Sequence, residues 1–128
     1  MGIVHLALAL AIALPAPPGP VYEGYAAHYS KHLFEQVARR RGLPPSDCLI
    51  ASPRHPIGAR VLVEGLRTGV ELRCLVADTS APQDRARHLW TGLFELRYES
   101  AQRVCGAAFA GPWRQCPIVV RGGGGVSG

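Results

Sequence analysis

The chain has 128 residues, a formal net charge of +5 and a pI near 9.4, with 15 glycines, 11 prolines and four cysteines. That length holds one domain with one modest core and excludes a multidomain assembly. The basic balance favours anionic partners such as cell-wall polymers, acidic polysaccharide or anionic lipid. Nucleic acid is not expected, because the aromatics are few and not interleaved with the basic residues.

The first stretch, Met1 to Ala16, carries an apolar run from Ile3 to Leu14 interrupted only by His5. It is too short to span a bilayer and has the length of a secretory h-region, although no Lys or Arg precedes it. Ala11-Ile12-Ala13 offers a small-x-small cleavage site, and Pro15, Pro17, Pro18 and Pro20 form a stiff spacer. Residues 1–20 therefore read as signal peptide and spacer, 21–120 as the folded unit, and 121–128 as a flexible Gly-rich tail. No cysteine follows the apolar run, so no membrane anchor is expected after processing. The mature protein is expected to be a secreted or periplasmic monomer.

Within the unit, Val21 to Tyr29 predicts a first strand crowded with Tyr22, Tyr25 and Tyr29. Exposed together, these rings would make a stacking platform for sugars; packed, they would simply fill the core. Ser30 reads as the N-cap of a helix from Lys31 to Arg41, stopped by Gly42 and Pro44-Pro45. Its apolar face is Leu33, Phe34, Val37 and Ala38, and Arg39-Arg40-Arg41 reads as a solvated end. Further strands follow at Cys48 to Ala51, Ala59 to Val63 and Val70 to Ala77, the last two joined by the Glu64 to Gly69 turn. Asp78 falls where the third of these gives way to loop, a rigid place to present a carboxylate, though Asp-Thr-Ser is also ordinary turn chemistry. A polar loop from Thr79 to His88, a strand from Leu89 to Leu96, a helix from Tyr98 to Val104 and a strand from Pro117 to Val120 complete the reading.

Short β runs with two small helices and Gly/Pro turns predict a small, mainly β barrel or sandwich, stabilised by disulfides. Four cysteines in a small exported chain imply two bridges, and three pairings are open. In one, Cys105 and Cys116 close a short loop while Cys48 and Cys74 tie two central strands together. No Cys-x-x-Cys and no His pair at i, i+4 is present, so neither metal nor other cofactor is expected.

From about Gly24 to Gly106 the order of parts resembles the double-psi β-barrel domain of rare lipoprotein A and the N-terminal domain of expansins. Gly24-Tyr25-Ala26-Ala27-His28-Tyr29 is similar to the family's opening strand. Ile50-Ala51-Ser52 followed by Pro56-Ile57-Gly58-Ala59-Arg60-Val61 is similar to its central segment. Val76-Ala77-Asp78 stands at the catalytic strand end, and Phe94-Glu95-Leu96 with Ser100-Ala101 resembles the closing strand and helix. The resemblance implies a small six-stranded double-psi β-barrel in which Asp78 acts as general acid/base or grips a glycan, with Glu95 where a second Asp is usual. Four departures stand beside it. Ser52 occupies the family's histidine position, and Ala27 replaces a Ser or Thr. The loop after Asp78 is longer and lacks Arg-Gly-Pro, and Glu95 reaches one methylene further than Asp. His28 and His55 lie close in sequence to the lost positions.

Three functions remain in view. The first is lytic cleavage of peptidoglycan glycan strands, with Asp78 as acid and Glu95 assisting. The second is non-catalytic, expansin-like binding of cell-wall polysaccharide. The third is a secreted barrel that binds a protein. Asp78 favours the first, while the missing histidine and hydroxyl favour the second. Tyr25, His28, Tyr29, Ser52 and Trp90 are the candidate substrate contacts.

Overall fold

The computed structural model describes residues 19–29, 31–112 and 115–122, with the side chains of Tyr29 and Lys31 left aside. The secretory segment, most of the proline spacer and the Ser30 cap lie outside the described residues. So do positions 123–128.

Six strands close into a barrel in the order β1-β5-β2-β4-β3-β6. They are β1 (Val21–Tyr29), β2 (Leu49–Ala51), β3 (Arg60–Gly65), β4 (Glu71–Asp78), β5 (Leu93–Arg97) and β6 (Pro117–Gly122). The pairs β1–β5 and β2–β4 are parallel and the other four antiparallel. These two interleaved parallel crossovers give the double-psi arrangement, and closure leaves no strand edge unpaired.

Alternation decides what fills the barrel. Val61 and Val63, Leu72, Cys74 and Val76, Phe94 and Leu96, and Ile118 and Val120 point inward into one core. The outward residues of β2 and β4 then need their own cover. Leu49, Ala51, Leu75 and Ala77 receive it from Phe34 and Ala38 of helix α1 (Lys31–Arg40). This is why β4 alternates at Glu71 to Cys74 and is buried on both faces from Leu75 to Ala77. Leu33, expected on the apolar face, is instead exposed; Phe34 and Ala38 carry the packing. Gly42, at φ 66°, ends the helix, and Leu43 folds back to donate its amide to Ala38.

Among the described residues three α-helices are present where two were expected. The additional one, α2 (Arg85–Thr91), occupies residues read as loop and as the start of a strand. It begins after Asp84 and is stopped by Gly92 in the left-handed region, so β5 starts only at Leu93. The apolar residues at Leu89, Leu93 and Leu96 had masked this break. Helix α3 (Tyr98–Cys105) runs one residue past its expected end into a short 3-10 turn. Its last turn docks on the β3–β4 hairpin, where Thr68 Oγ1 donates to the Val104 carbonyl at 2.9 Å. Gly65 makes the approach feasible, since any Cβ there would strike that carbonyl. β6 also continues through Arg121 and Gly122, so both belong to the barrel and not to the tail.

The two bridges are Cys48–Cys74 and Cys105–Cys116. The first joins neighbouring parallel strands beside the Leu49–Leu75 pair. The second closes the segment whose Cys116 carbonyl accepts the Ala26 amide at 3.0 Å. Among the described residues no helix is long and apolar enough to cross a membrane.

The bridges span 26 and 11 residues of sequence, so chain entropy favours the first as the stronger staple. Replacing Cys48 and Cys74 together by Ala is expected to cost about 3.5 kcal/mol, and replacing Cys105 and Cys116 about 2.8 kcal/mol. Denaturant unfolding of the two double variants checks both the magnitude and the order.

Candidate functional site

Ala51 fixes the geometry of the rim. On one side it is the register partner of Glu95 in antiparallel β5, and on the other of Asp78 in parallel β4. The register slips between Ile50 and Ala51, placing one extra residue on β4 and bringing Asp78 level with Ala51. Two acids thus flank one small residue, their backbones two strand spacings or about 10 Å apart. Ala27 of β1 is the neighbour of Glu95 on its other side.

Asp78 is firmly held. Its Oδ1 accepts the Thr79 amide at 2.9 Å and lies 3.3 Å from Arg41 Nη2. Arg41 Nη1 meanwhile donates to the Ala77 carbonyl at 3.0 Å, so the guanidinium clamps both the strand end and its carboxylate. The acid therefore caps its own loop and also faces the site. Arg41, read from sequence as part of a solvated helix end, is a working contact.

Glu95 has a different environment. Burial, with the negative charges of Asp78 and Asp84, raises its pKa above the ordinary value of 4.5, and Arg87 opposes the shift. Phe94 and Leu96 on either side point into the core, so Glu95 points outward, half-buried. Asp84 and Arg87 both come from the segment that forms α2 and pair with each other at 2.9 Å. That segment is clasped to the loop after Asp78 by Ser80 Oγ and His88 Nδ1, which are 2.6 Å apart and both buried.

The candidate sugar contacts separate into groups. Tyr25 and Trp90 line one open groove with Arg54, Glu23, Gly24 and Gly92. Trp90, on α2, is 86% exposed. Ser52 is wholly buried and offers no surface to a ligand. Its hydroxyl lies 2.7 Å from His55 Nδ1 and accepts the Arg54 amide at 3.1 Å, while its own amide donates to the Asp78 carbonyl. Ser52 thus braces the strand end from behind. His28 is the register partner of Leu96, and its ring packs with Tyr98 and Phe109 at centroid distances of 5.5 and 5.3 Å. It does not join the acids. Tyr29 ends β1 opposite Arg97. Tyr22 is half-buried, edge-on to the His55 ring at 5.3 Å, and so packs instead of forming a platform.

Arg41, Arg54, Ser80, Asp84, Arg87 and His88 were not anticipated. Asp84 and Gly92, a helix start and stop with seven residues between them, were the only sequence signal for α2. Among the described residues no three His, Cys, Asp or Glu side chains gather as a metal site would need. No protein-family model matches the chain, and no curated protein matches it significantly.

Burial depresses the His55 pKa; the backbone of Gly122 offsets this and Arg54 adds to it. Burial likewise depresses His88, with Arg87 adding and Asp84 offsetting. A histidine with a lowered folded pKa contributes stability above about 6.5 that is lost as pH falls below it. Glu95 has the opposite sign: the unfolded chain ionises first, so folding loses stability as pH rises from 4.5 through its raised value. Glu95→Gln is therefore expected to raise the melting temperature at pH 7 and to leave it nearly unchanged at pH 4. His55→Gln is expected to flatten the fall in melting temperature between pH 7 and pH 5. Thermal scans across pH check both.

Proposed function

We propose that this is a secreted domain that acts on cell-wall glycan, with Glu95 as proton donor and Asp78 as the clamped neighbouring charge. One observation carries the reading: a half-buried glutamate with a raised pKa faces a fixed aspartate across a single alanine. Paired carboxylates with separated environments are the arrangement by which enzymes divide acid and charge-stabilising roles at a glycosidic bond. The four stretches that resemble rare lipoprotein A and expansins support the substrate class. The two disulfides support an oxidising compartment.

The reading exchanges the roles that resemblance alone implies. Glu95 protonates the glycosidic oxygen, and the bond to the anomeric carbon breaks. Asp78 stabilises the positive charge that develops on the sugar ring. A hydroxyl of the same sugar then attacks the anomeric carbon and returns its proton to Glu95. The strand is cut into an internal anhydro end and a free hydroxyl end, with no water consumed.

Wild-type protein is expected to release anhydro-muropeptides from purified peptidoglycan. Glu95→Gln should lower the rate by about 10²–10⁴. Asp78→Asn removes a charge that raises the Glu95 pKa, so the alkaline limb of its pH–rate profile should move to lower pH. Mass spectrometry of the digest and rates across pH measure these effects. Absence of product from the wild type defeats the catalytic reading.

One observation favours a second reading, in which the domain binds wall polysaccharide without cutting it. The position of the family's histidine is filled by Ser52, buried and committed to His55. Under that reading the protein pellets with insoluble peptidoglycan and yields no product.

A further inference from the structure

The groove beside α2 has no part in proton transfer, yet its composition and position are specific. It encloses about 420 Å³ between Trp90, Thr91 and Leu89 on one side and Glu23, Tyr25 and Arg54 on the other. Its floor is bare backbone: the Tyr25 amide donates to the Gly92 carbonyl at 2.8 Å, and a side chain on Gly24 would strike that same carbonyl. Tyr25 is the register partner of Leu93, and Glu95 lies two residues further along β5. On the outward face Tyr25 and Glu95 are therefore diagonal neighbours, about 7–8 Å apart at their Cα atoms. Tyr25, at the groove, and Glu95 thus lie on the same face of the β1–β5 pair.

We propose that this groove is a sugar subsite continuous with the Asp78–Glu95 pair, and that it takes a neutral pyranose ring of a linear glycan. The proposal rests on the glycan reading and names the class of ring next to the cleaved bond. Trp90 lines the groove and is 86% exposed, so its ring is open to a ligand lying there. Its flat apolar face matches the C–H face of a pyranose, and the groove walls supply hydrogen bonds to the ring hydroxyls.

Arg54 is preorganised for that task. Nη2 donates to the Leu89 carbonyl at 3.2 Å, and the guanidinium lies 4.8 Å from the Tyr22 ring centroid, leaving further N–H groups for a ligand. Glu23 balances its charge within the groove, so neither an anionic nor a cationic ring is favoured. The site therefore selects a hexose or N-acetylhexosamine over a uronate.

The test uses the full chain carrying Glu95→Gln, so that ligand is held and not cut, with chitohexaose as probe and an oligogalacturonate as the anionic control. Calorimetry is expected to show chitohexaose binding that changes less than twofold between 50 and 500 mM NaCl. Adding Trp90→Ala should weaken it about tenfold, Trp90→Phe should restore most of the loss, and the oligogalacturonate should bind more weakly. Equal affinity with Trp90→Ala, at an unchanged melting temperature, overturns the subsite and leaves the cleavage assay standing. Tighter, salt-sensitive binding of the oligogalacturonate overturns the neutral-ring assignment. If wild type releases no anhydro-muropeptides and neither oligosaccharide binds, the glycan reading and the subsite fail together. A Trp90-dependent complex with a protein, without glycan binding, also overturns the subsite.

Discussion

Ala51 has a neighbour on every side, and the site exists because of how little room it takes. Helix α1 covers its outer face, β4 and β5 flank it, and the Cys48–Cys74 bridge anchors the same short strand three residues earlier. A larger side chain here would lift α1 away from β2 and β4, releasing Arg41 and with it the clamp on Asp78. Packing beneath the helix and charge geometry at the rim are therefore one constraint. The parallel crossovers make this feasible, since they bring the ends of β2 and β4 level with the middle of β5, segments far apart in sequence.

The two carboxylates are chemically alike and are separated by what surrounds them. Asp78 receives a guanidinium and an amide, both positive partners. Glu95 receives burial and two negative neighbours, with Arg87 as partial relief. Burial and like charge raise the Glu95 pKa, while Asp78 is held by its amide and guanidinium partners. The loop after Asp78 contributes through Ser80 and His88, which hold the Asp84–Arg87 segment where its charges reach Glu95.

Much of the scaffold was legible from residue pattern. Val21 to Tyr29, the Val61 and Val63 alternation and the Asp78 strand end follow from period-two burial, and four cysteines implied two bridges, whose pairing the structure decides. Asp78 was found as a carboxylate at a strand end, and Glu95 through the resemblance of Phe94-Glu95-Leu96 to the family's closing strand. What stayed hidden depends on tertiary contact. Helix α2 is short and mostly polar, and its apolar residues run on in apparent continuity with β5. Arg41 looks like any charged helix end until the Ala77 carbonyl and Asp78 are placed beside it. Ser52 looked like a site residue because its sequence position matched one. Burial reversed that reading, since a hydroxyl committed to His55 and the Arg54 amide is a brace.

Charge distribution ties these elements together. The chain carries +5 overall, yet Asp78, Asp84 and Glu95 converge on one rim. An anionic polymer drawn to the basic surface would be repelled at that rim unless its charges lay away from the acids. A chain of neutral rings meets no such repulsion, and the groove beside Tyr25 is lined by both Glu23 and Arg54. Helix α2 joins the two regions: Arg87 faces the Glu95 charge and Trp90, three residues on, borders the groove, a spacing that sets both on neighbouring parts of one helical surface. Helix α2, which lies in the long loop after Asp78, thus borders both places: Arg87 acts on the Glu95 charge and Trp90 lines the groove.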